Sequence, residues 1–284
     1  MSTLAERAEG YRAGRTLPLR VELVRQLKRR RTLVMGGILF ALPFILLIAF
    51  QVGGEPGGGN NRVNLMDTAT ASGANFAAVN LFASAGFLLV IPVALFCGDT
   101  VASEASWSSL RYLLAAPVPR ARLLWSKLTV GLTLSLGALV LLPLVALAVG
   151  MAAYGTGPLE LPTGGTLPFG TAAQRLAVTV AYIFVSQLVT AALAFWLSTR
   201  TDAPLGAVGG AVGLTIIGSV LDEVTALGDW RDFLPAHWQY AWLDAVRPQL
   251  EWSDMIQGTS LSITYALVLF ALAFRGFARK DVVS

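Results

Sequence analysis

The chain has 284 residues, of which 55% are hydrophobic and only 13% charged, against about a quarter charged in a typical soluble domain. Apolar runs of about 20 residues recur along it, the length a bilayer demands, which excludes a water-soluble globule and predicts a polytopic membrane protein. A single cysteine, Cys97, and a single histidine, His237, exclude an internal disulfide and a Cys/His metal cluster, and the net charge of +4 must be explained by nucleic acid or by a membrane surface.

Residues 1–32 are polar and basic. From Leu17 onward, Leu17, Val21, Val24 and Leu27 recur at helical spacing with Arg and Lys on the opposite side, which predicts an amphipathic helix lying on the membrane surface. Leu33–Phe50 is the first predicted span. The basic region before it is too long for a signal peptide, and no small-residue cleavage site follows. Residues 51–75 contain GGEPGGGNN and are expected to be an exposed loop. Phe76–Cys97 is the second span, with Pro92 inside it, and Leu128–Gly150 the third, with Pro143. A Gly-, Pro- and Thr-rich loop over 151–171 leads to the fourth span, Leu176–Ser198. After a short connection at Thr199–Asp202, Ala203–Leu221 forms the fifth, where Gly206/Gly210 and Gly209/Gly213 are small-xxx-small pairs suited to close helix packing.

In residues 222–257, Trp230, Phe233, Leu234, Trp238, Tyr240, Trp242 and Leu243 alternate with charges. Trp and Tyr favour the bilayer interface, so short surface-lying or re-entrant helices are expected, with His237 as an interfacial polar residue. The sixth span runs from about Met255 to Phe274. The expected fold is therefore all-α: an interfacial helix and tail over 1–32, then one six-span membrane domain over 33–284.

Charge orients this domain. Of the 21 Lys and Arg residues, 17 fall in the N-terminal segment, the stretch between the second and third spans, the Arg200 connection and the C-terminus. Only Arg62, Arg175, Arg231 and Arg247 fall on the other side. Basic residues collect on the cytoplasmic side, so both termini are expected there, and the basicity reads as a topology and inner-leaflet signal with no nucleic-acid partner.

No phosphate-binding G-x-x-x-x-G-K-[ST] loop, nucleophile elbow, H-E-x-x-H or dinucleotide fingerprint occurs, so no catalytic or metal site is assigned and ATP is not bound by that route. The span interiors lack the acids, bases or His that ion-coupled transporters use. A secondary transporter or channel is the alternative reading; a membrane enzyme or scaffold would need a catalytic cluster that the chain lacks. Mildly polar residues within the spans, Ser84, Tyr182, Ser186, Gln187 and Thr190, are candidates for a translocation pathway; Ser135 and Tyr265 are similar in kind. They suit an amphiphile better than an ion, so energy for pumping should enter from outside the bilayer.

The stretch Gly98–Lys127 separates the second and third spans. Asp99 and Thr100 can cap a helix start; Trp107, Leu110 and Leu114 follow at helical spacing, with Arg111 among them. Pro117 and Pro119 end that helix, and Arg120, Arg122 and Lys127 lead into the next span. Such a helix would run along the membrane surface, facing a cytoplasmic partner or lipid headgroups.

The layout Gly98-Asp99-x-x-Ala102-x-Glu104, then Leu110-Arg111-x-Leu113-Leu114-x-x-Pro117-Val118-x-Arg120 and Lys127, resembles permease subunits of type-2 ABC exporters. The six-span plan, the N-terminal interfacial helix and the apolar segment before the last span match as well; Ser108-Ser109 departs where the family often has Gly-Thr. The resemblance implies two such subunits, identical or homologous, around a pore in a bacterial plasma membrane. Two separate ATPase subunits would bind ATP and Mg, this chain holding no cofactor itself. Asp99 to Pro117 would be a coupling helix whose movement tilts the first, second and fifth spans. Asp99, Glu104, Arg111 and Arg120 would be its polar contacts to the ATPase and Trp107, Leu110, Leu114 and Pro117 its apolar and turning positions, while Arg122 and Lys127 could meet lipid phosphates. The transported compound would be an amphiphilic drug, a peptide antibiotic or a lipid.

The charge asymmetry is directly testable. In a Cys97→Ser background, single cysteines at Ser2 and at Asn60 should respond oppositely to a membrane-impermeant thiol reagent on intact cells: Asn60→Cys labelled, Ser2→Cys protected. Labelling of both would overturn the topology.

Overall fold

The structure, a computed structural model, describes residues 18–53, 65–106, 119–162 and 164–279. It is helical almost throughout. Helices α1 (Leu19–Leu27) and α2 (Arg30–Gly53) are followed by α3 (Gly73–Ala85), α4 (Val90–Ser106), α5 (Arg120–Tyr154), α6 (Phe169–Ser186), α7 (Leu188–Arg200), α8 (Pro204–Asp222) and α9 (Ser253–Ala278). A two-stranded antiparallel ribbon, β1 (Leu159–Glu160) and β2 (Thr166–Leu167), interrupts the all-α pattern between α5 and α6. Five helices, α6 and α7 counted together, are long and apolar enough to cross a membrane; α3 and α4 form a bent pair that makes a sixth span if counted as one.

The predicted second span is therefore not one straight helix. α3 and α4 meet at 54°, and the bend lies in the turn between Ala85 and Val90, not at Pro92. Pro92 sits in the first turn of α4, where the backbone N–H groups have no helical acceptor, so its missing donor disrupts nothing. The Leu89 amide reaches back to the Ser84 carbonyl at 2.9 Å across the bend. Ser72 caps α3, its Oγ accepting from the Asn75 amide at 3.3 Å.

The structure also lengthens the third span. α5 runs 35 residues, from Arg120 to Tyr154, taking in most of the basic approach to the bilayer as well as the apolar run, and Gly155 ends it with φ of +78°. The predicted fourth span is interrupted at Gln187, which closes α6 and opens α7.

α4 lies at the centre, packed on α5, α7 and α8, while α9 lies against α7 and α3 against α5. Small residues allow this closeness. A Cβ on Gly150 would come within 2.9 Å of Gly73 Cα and Phe76 Cβ, and one on Gly98 within 3.2 Å of Val208 and 3.3 Å of Ala194. The glycine pairs expected to pack the fifth span contribute less. Gly210 faces Leu197, but added Cβ atoms on Gly209 and Gly213 would meet nothing within 4 Å. Close approach is thus set by glycines on the elements facing α8 and α3, which helix-internal spacing does not reveal.

The segment before α9 forms two short 3-10 helices, Thr225–Phe233 and Ala241–Val246, joined by turns. Trp230 and Phe233 are exposed, as an interfacial segment requires, but Trp242 is fully buried and packs edge-on to Phe82 of α3. For Trp242 the interfacial expectation is corrected, because α3 ends beneath it and offers an apolar socket.

Gly150→Val forces a branched side chain against the α3 backbone and should cost about 1–3 kcal/mol of stability. A matching fall in melting temperature of the detergent-solubilised protein would show it, with Gly209→Val, on an open face, unchanged.

Candidate functional site: a buried ion network and a cavity

The densest polar cluster joins the N-terminal helix to the helices that flank residues 107–118. α1 presents its apolar side outward: Leu19, Val21, Val24 and Leu27 are exposed, as a helix dipping into lipid requires, whereas Gln26 is buried against the bundle. From the inward side, Glu22 reaches Lys127 of α5 at 3.2 Å and Arg25 at 2.8 Å. Lys127 Nζ also meets Glu104 Oε1 of α4 at 3.1 Å, and Arg25 pairs with the same carboxylate. A second node lies one turn and a half along α4. Asp99 binds Arg29 at 2.6 Å and pairs with Arg31, while Arg29 also donates to Ser103 Oγ at 3.3 Å.

Asp99, Glu104 and Lys127 have side chains 4%, 2% and 2% exposed, so desolvation is nearly complete and each charge depends on its partners. Burial acts to raise the Glu22 pKa, but Lys127, Gln26 and Arg25 outweigh it and hold the carboxyl below its ordinary value. Glu22 therefore adds stability above the ordinary carboxylate range, and that contribution is lost as pH falls through its lowered folded value.

This geometry revises several expectations. Asp99 and Thr100 do not start a helix: α4 continues through them to Ser106, because Arg29, Arg31 and Lys127 neutralise its acidic last turns. Lys127 faces the bundle interior and not lipid phosphates. Glu104, expected at the ATPase surface, turns its carboxylate to Lys127 and Arg25. Arg120 Nη1 donates to the Ala278 carbonyl at 3.1 Å, tying the start of α5 to the end of α9. Trp107, Leu110, Arg111, Leu114 and Pro117 lie outside the described residues. The pairing of the N-terminal arginines with α4 carries no sequence signal beyond opposite charge, since 68 to 79 residues separate the partners.

At the opposite end of the bundle, a cavity of about 290 Å³ lies between α7, α8 and α9 beneath the turn at 235–239. It gathers Ser186, Gln187 and Thr190 of the expected pathway and adds Thr215, Gln239 and Tyr265. Thr190 and Thr215 hydroxyls are 3.3 Å apart. Tyr182 and Ser84 are not among its walls. Tyr182 donates to the Trp238 carbonyl at 2.6 Å, and Ser84 is buried near the α3–α4 bend. His237 is more than a passive interfacial residue: its Nδ1 lies 2.7 Å from Asp222 Oδ1, which also accepts from Arg231, so it ties the turn to the end of α8.

A bundle of long apolar helices, with a helix laid along one end and a buried ion network beneath it, is that of a polytopic membrane protein. Residues 19–220 match the family model described as ABC-2 family transporter protein, and the chain belongs to that family: it is a permease, the membrane component of an ABC transporter. The matched range takes in the whole ion network and stops before the 225–246 segment and α9. No curated protein gives a significant match.

Lys127→Met removes the buried ammonium that Glu22 and Glu104 share and leaves them the partly exposed Arg25, and should cost about 3–5 kcal/mol. Adding Glu104→Gln should recover part of that loss, a coupling that a thermal-melt double-mutant cycle reads directly. In acid, Glu22→Gln should flatten the fall of melting temperature that wild type shows below about pH 4.5, the ordinary carboxyl value.

Proposed function

We propose that the chain is one of two permease subunits of an ATP-driven exporter in a bacterial plasma membrane. Separate ATPase subunits, which bind ATP and Mg, sit at the cytoplasmic face that carries α1 and both termini. Residues 107–118 dock on the ATPase through Trp107, Leu110, Arg111 and Leu114, and Pro117 redirects the chain into α5. The observation that supports this reading most is the Glu104–Lys127–Glu22 link. The docking segment leaves from Ser106 and returns at Pro119, and the ion network ties the two helices flanking that gap to each other and to α1.

A displacement of 107–118 by the ATPase is then a displacement of α4 and α5 together, because separating Glu104 from Lys127 would strand buried charges. α1 and α2 follow through Arg25, Arg29 and Arg31. Since α4 is also the helix packed on α8, the movement reaches the predicted fifth span without a hinge in between. The cargo is an amphiphile, in keeping with a cavity whose polar groups are hydroxyls and amides.

Arg111→Glu and Trp107→Ala should each reduce co-purification of the neighbouring ATPase by tenfold or so while leaving the permease's own melting temperature unchanged, since one desolvated anchor is worth about 1–2 kcal/mol. Full retention of the ATPase by both variants would remove the docking role from this segment.

A further inference from the structure

The cavity beneath the 235–239 turn has a polarity that follows the bundle axis. α7 runs from the roof toward the ion-network end, where Arg200 approaches Gly276 of α9; α8 returns to the roof, where Asp222 meets His237. Ordered along that axis, Ser186, Gln187 and Gln239 lie under the roof, and Thr190 and Thr215 come next. The lower wall is aliphatic, made by Leu193, Leu214 and Leu269. Among the described residues no charged side chain lines it. At the roof, Asp222 pairs with both Arg231 and His237, and His237 Nε2 also lies 3.5 Å from Asp232.

α8 and α9 both pack on α7, and the cavity opens between them, where Leu214 and Tyr265 are 49% and 40% exposed. These residues lie within helices long and apolar enough to span a membrane, so the mouth sits at the depth of the hydrocarbon core, within reach of lipid tails or of an apposed membrane helix. Tyr265 hydroxyl donates to the Phe233 carbonyl at 3.2 Å, which holds the mouth side chain against the roof segment.

We infer that this cavity is a binding site for an uncharged amphiphile taken from the bilayer. Its hydroxyl or amide head lies among Gln187, Gln239 and Thr215 under the roof, and its hydrocarbon tail runs along Leu193, Leu214 and Leu269. Thr215 Oγ1 donates to the Ala211 carbonyl at 3.0 Å and Gln187 Nε2 to the Ala85 carbonyl at 3.4 Å, so a neutral head is met by their acceptor oxygens and by Gln239. An ammonium or carboxylate head would surrender its hydration with no counter-charge in reach, a cost that hydroxyls and amides do not repay. The walls from α7 and α8, Gln187 and Thr215 among them, lie within the family-matched range 19–220, while the roof and the α9 residues Tyr265 and Leu269 lie beyond it. The inference rests on membrane placement and not on an ATPase partner, so loss of the docking proposal leaves it standing.

The test uses the full chain in nanodiscs and a photoactivatable C16 monoacylglycerol as probe. Saturable labelling of peptides from α8 or α9 is expected, competed by unlabelled monoacylglycerol and not by palmitate or hexadecyltrimethylammonium. Gly218→Trp fills the cavity and should abolish labelling. Gly218→Ala, whose added Cβ would sit 3.8 Å from Ala236 Cβ, should not. Thr215→Val with Gln239→Leu, which removes two of the head's three hydrogen-bonding partners and leaves Gln187, should weaken binding about tenfold. Competition by either charged amphiphile as effective as the neutral one overturns the inference on wild-type protein alone, whatever the variants do. Undiminished labelling of a folded Gly218→Trp overturns it as well.

Discussion

Lys127 is the cation on which this end of the molecule depends. It is buried, it begins the apolar stretch of a 35-residue helix, and it is shared by two carboxylates from two other elements. An ammonium in that position is tolerable only because Glu22 and Glu104 converge on it, and those carboxylates are tolerable only because Lys127 and Arg25 are there. The dependence is mutual, so α1, α4 and α5 hold their places as a set. The second node repeats the logic with Asp99 between Arg29 and Arg31, and it fixes the point at which α2 leaves the surface helix and enters the bilayer.

Outward from this network the bundle is held by shape. A bilayer offers no hydrophobic gain for helix association, so contact area and close backbone approach must supply it. Gly73, Gly98 and Gly150 provide that approach at the α3–α5 and α4–α8 contacts. Ser198 adds a polar tie, its Oγ accepting from the Val101 and Ala102 amides of α4. α4 is thereby gripped by charge at its foot and by packing along its length, which makes it the natural carrier of movement between the two ends of the molecule. At the far end the grip loosens. The roof over the cavity is short 3-10 turns stitched by His237–Asp222 and Tyr265–Phe233, and α8 presents much of its surface outward.

Membrane placement, the position of the helices along the chain and the permease family were legible in the residue order, because apolar run length and charge asymmetry are one-dimensional quantities that a bilayer reads one-dimensionally. The helix Leu19–Leu27 was legible for a similar reason: the Val21–Val24–Leu27 stripe is a periodicity, and those side chains lie exposed along it. Three of the five pathway candidates, Ser186, Gln187 and Thr190, do share a cavity, since polar residues in an apolar helix must face something other than lipid. Tyr182 and Ser84 satisfied that same requirement elsewhere, and no local rule distinguishes the two outcomes.

Composition and periodicity determined that this protein spans a membrane and roughly where, and the motif after the second span determined its family. Only the tertiary structure decided what Asp99, Glu104 and Lys127 are for. Read along the chain they are surface charges at the end of one span and the start of the next. Folded, they are buried, because Arg25, Arg29 and Arg31, which complement the two carboxylates, and Glu22, which complements Lys127, arrive from a segment 68 to 105 residues earlier. The bend at Ala85–Val90, the burial of Trp242 and the roofed cavity have the same origin. Each depends on which element lies opposite, and that pairing is set by packing in three dimensions, which a stretch of sequence does not contain.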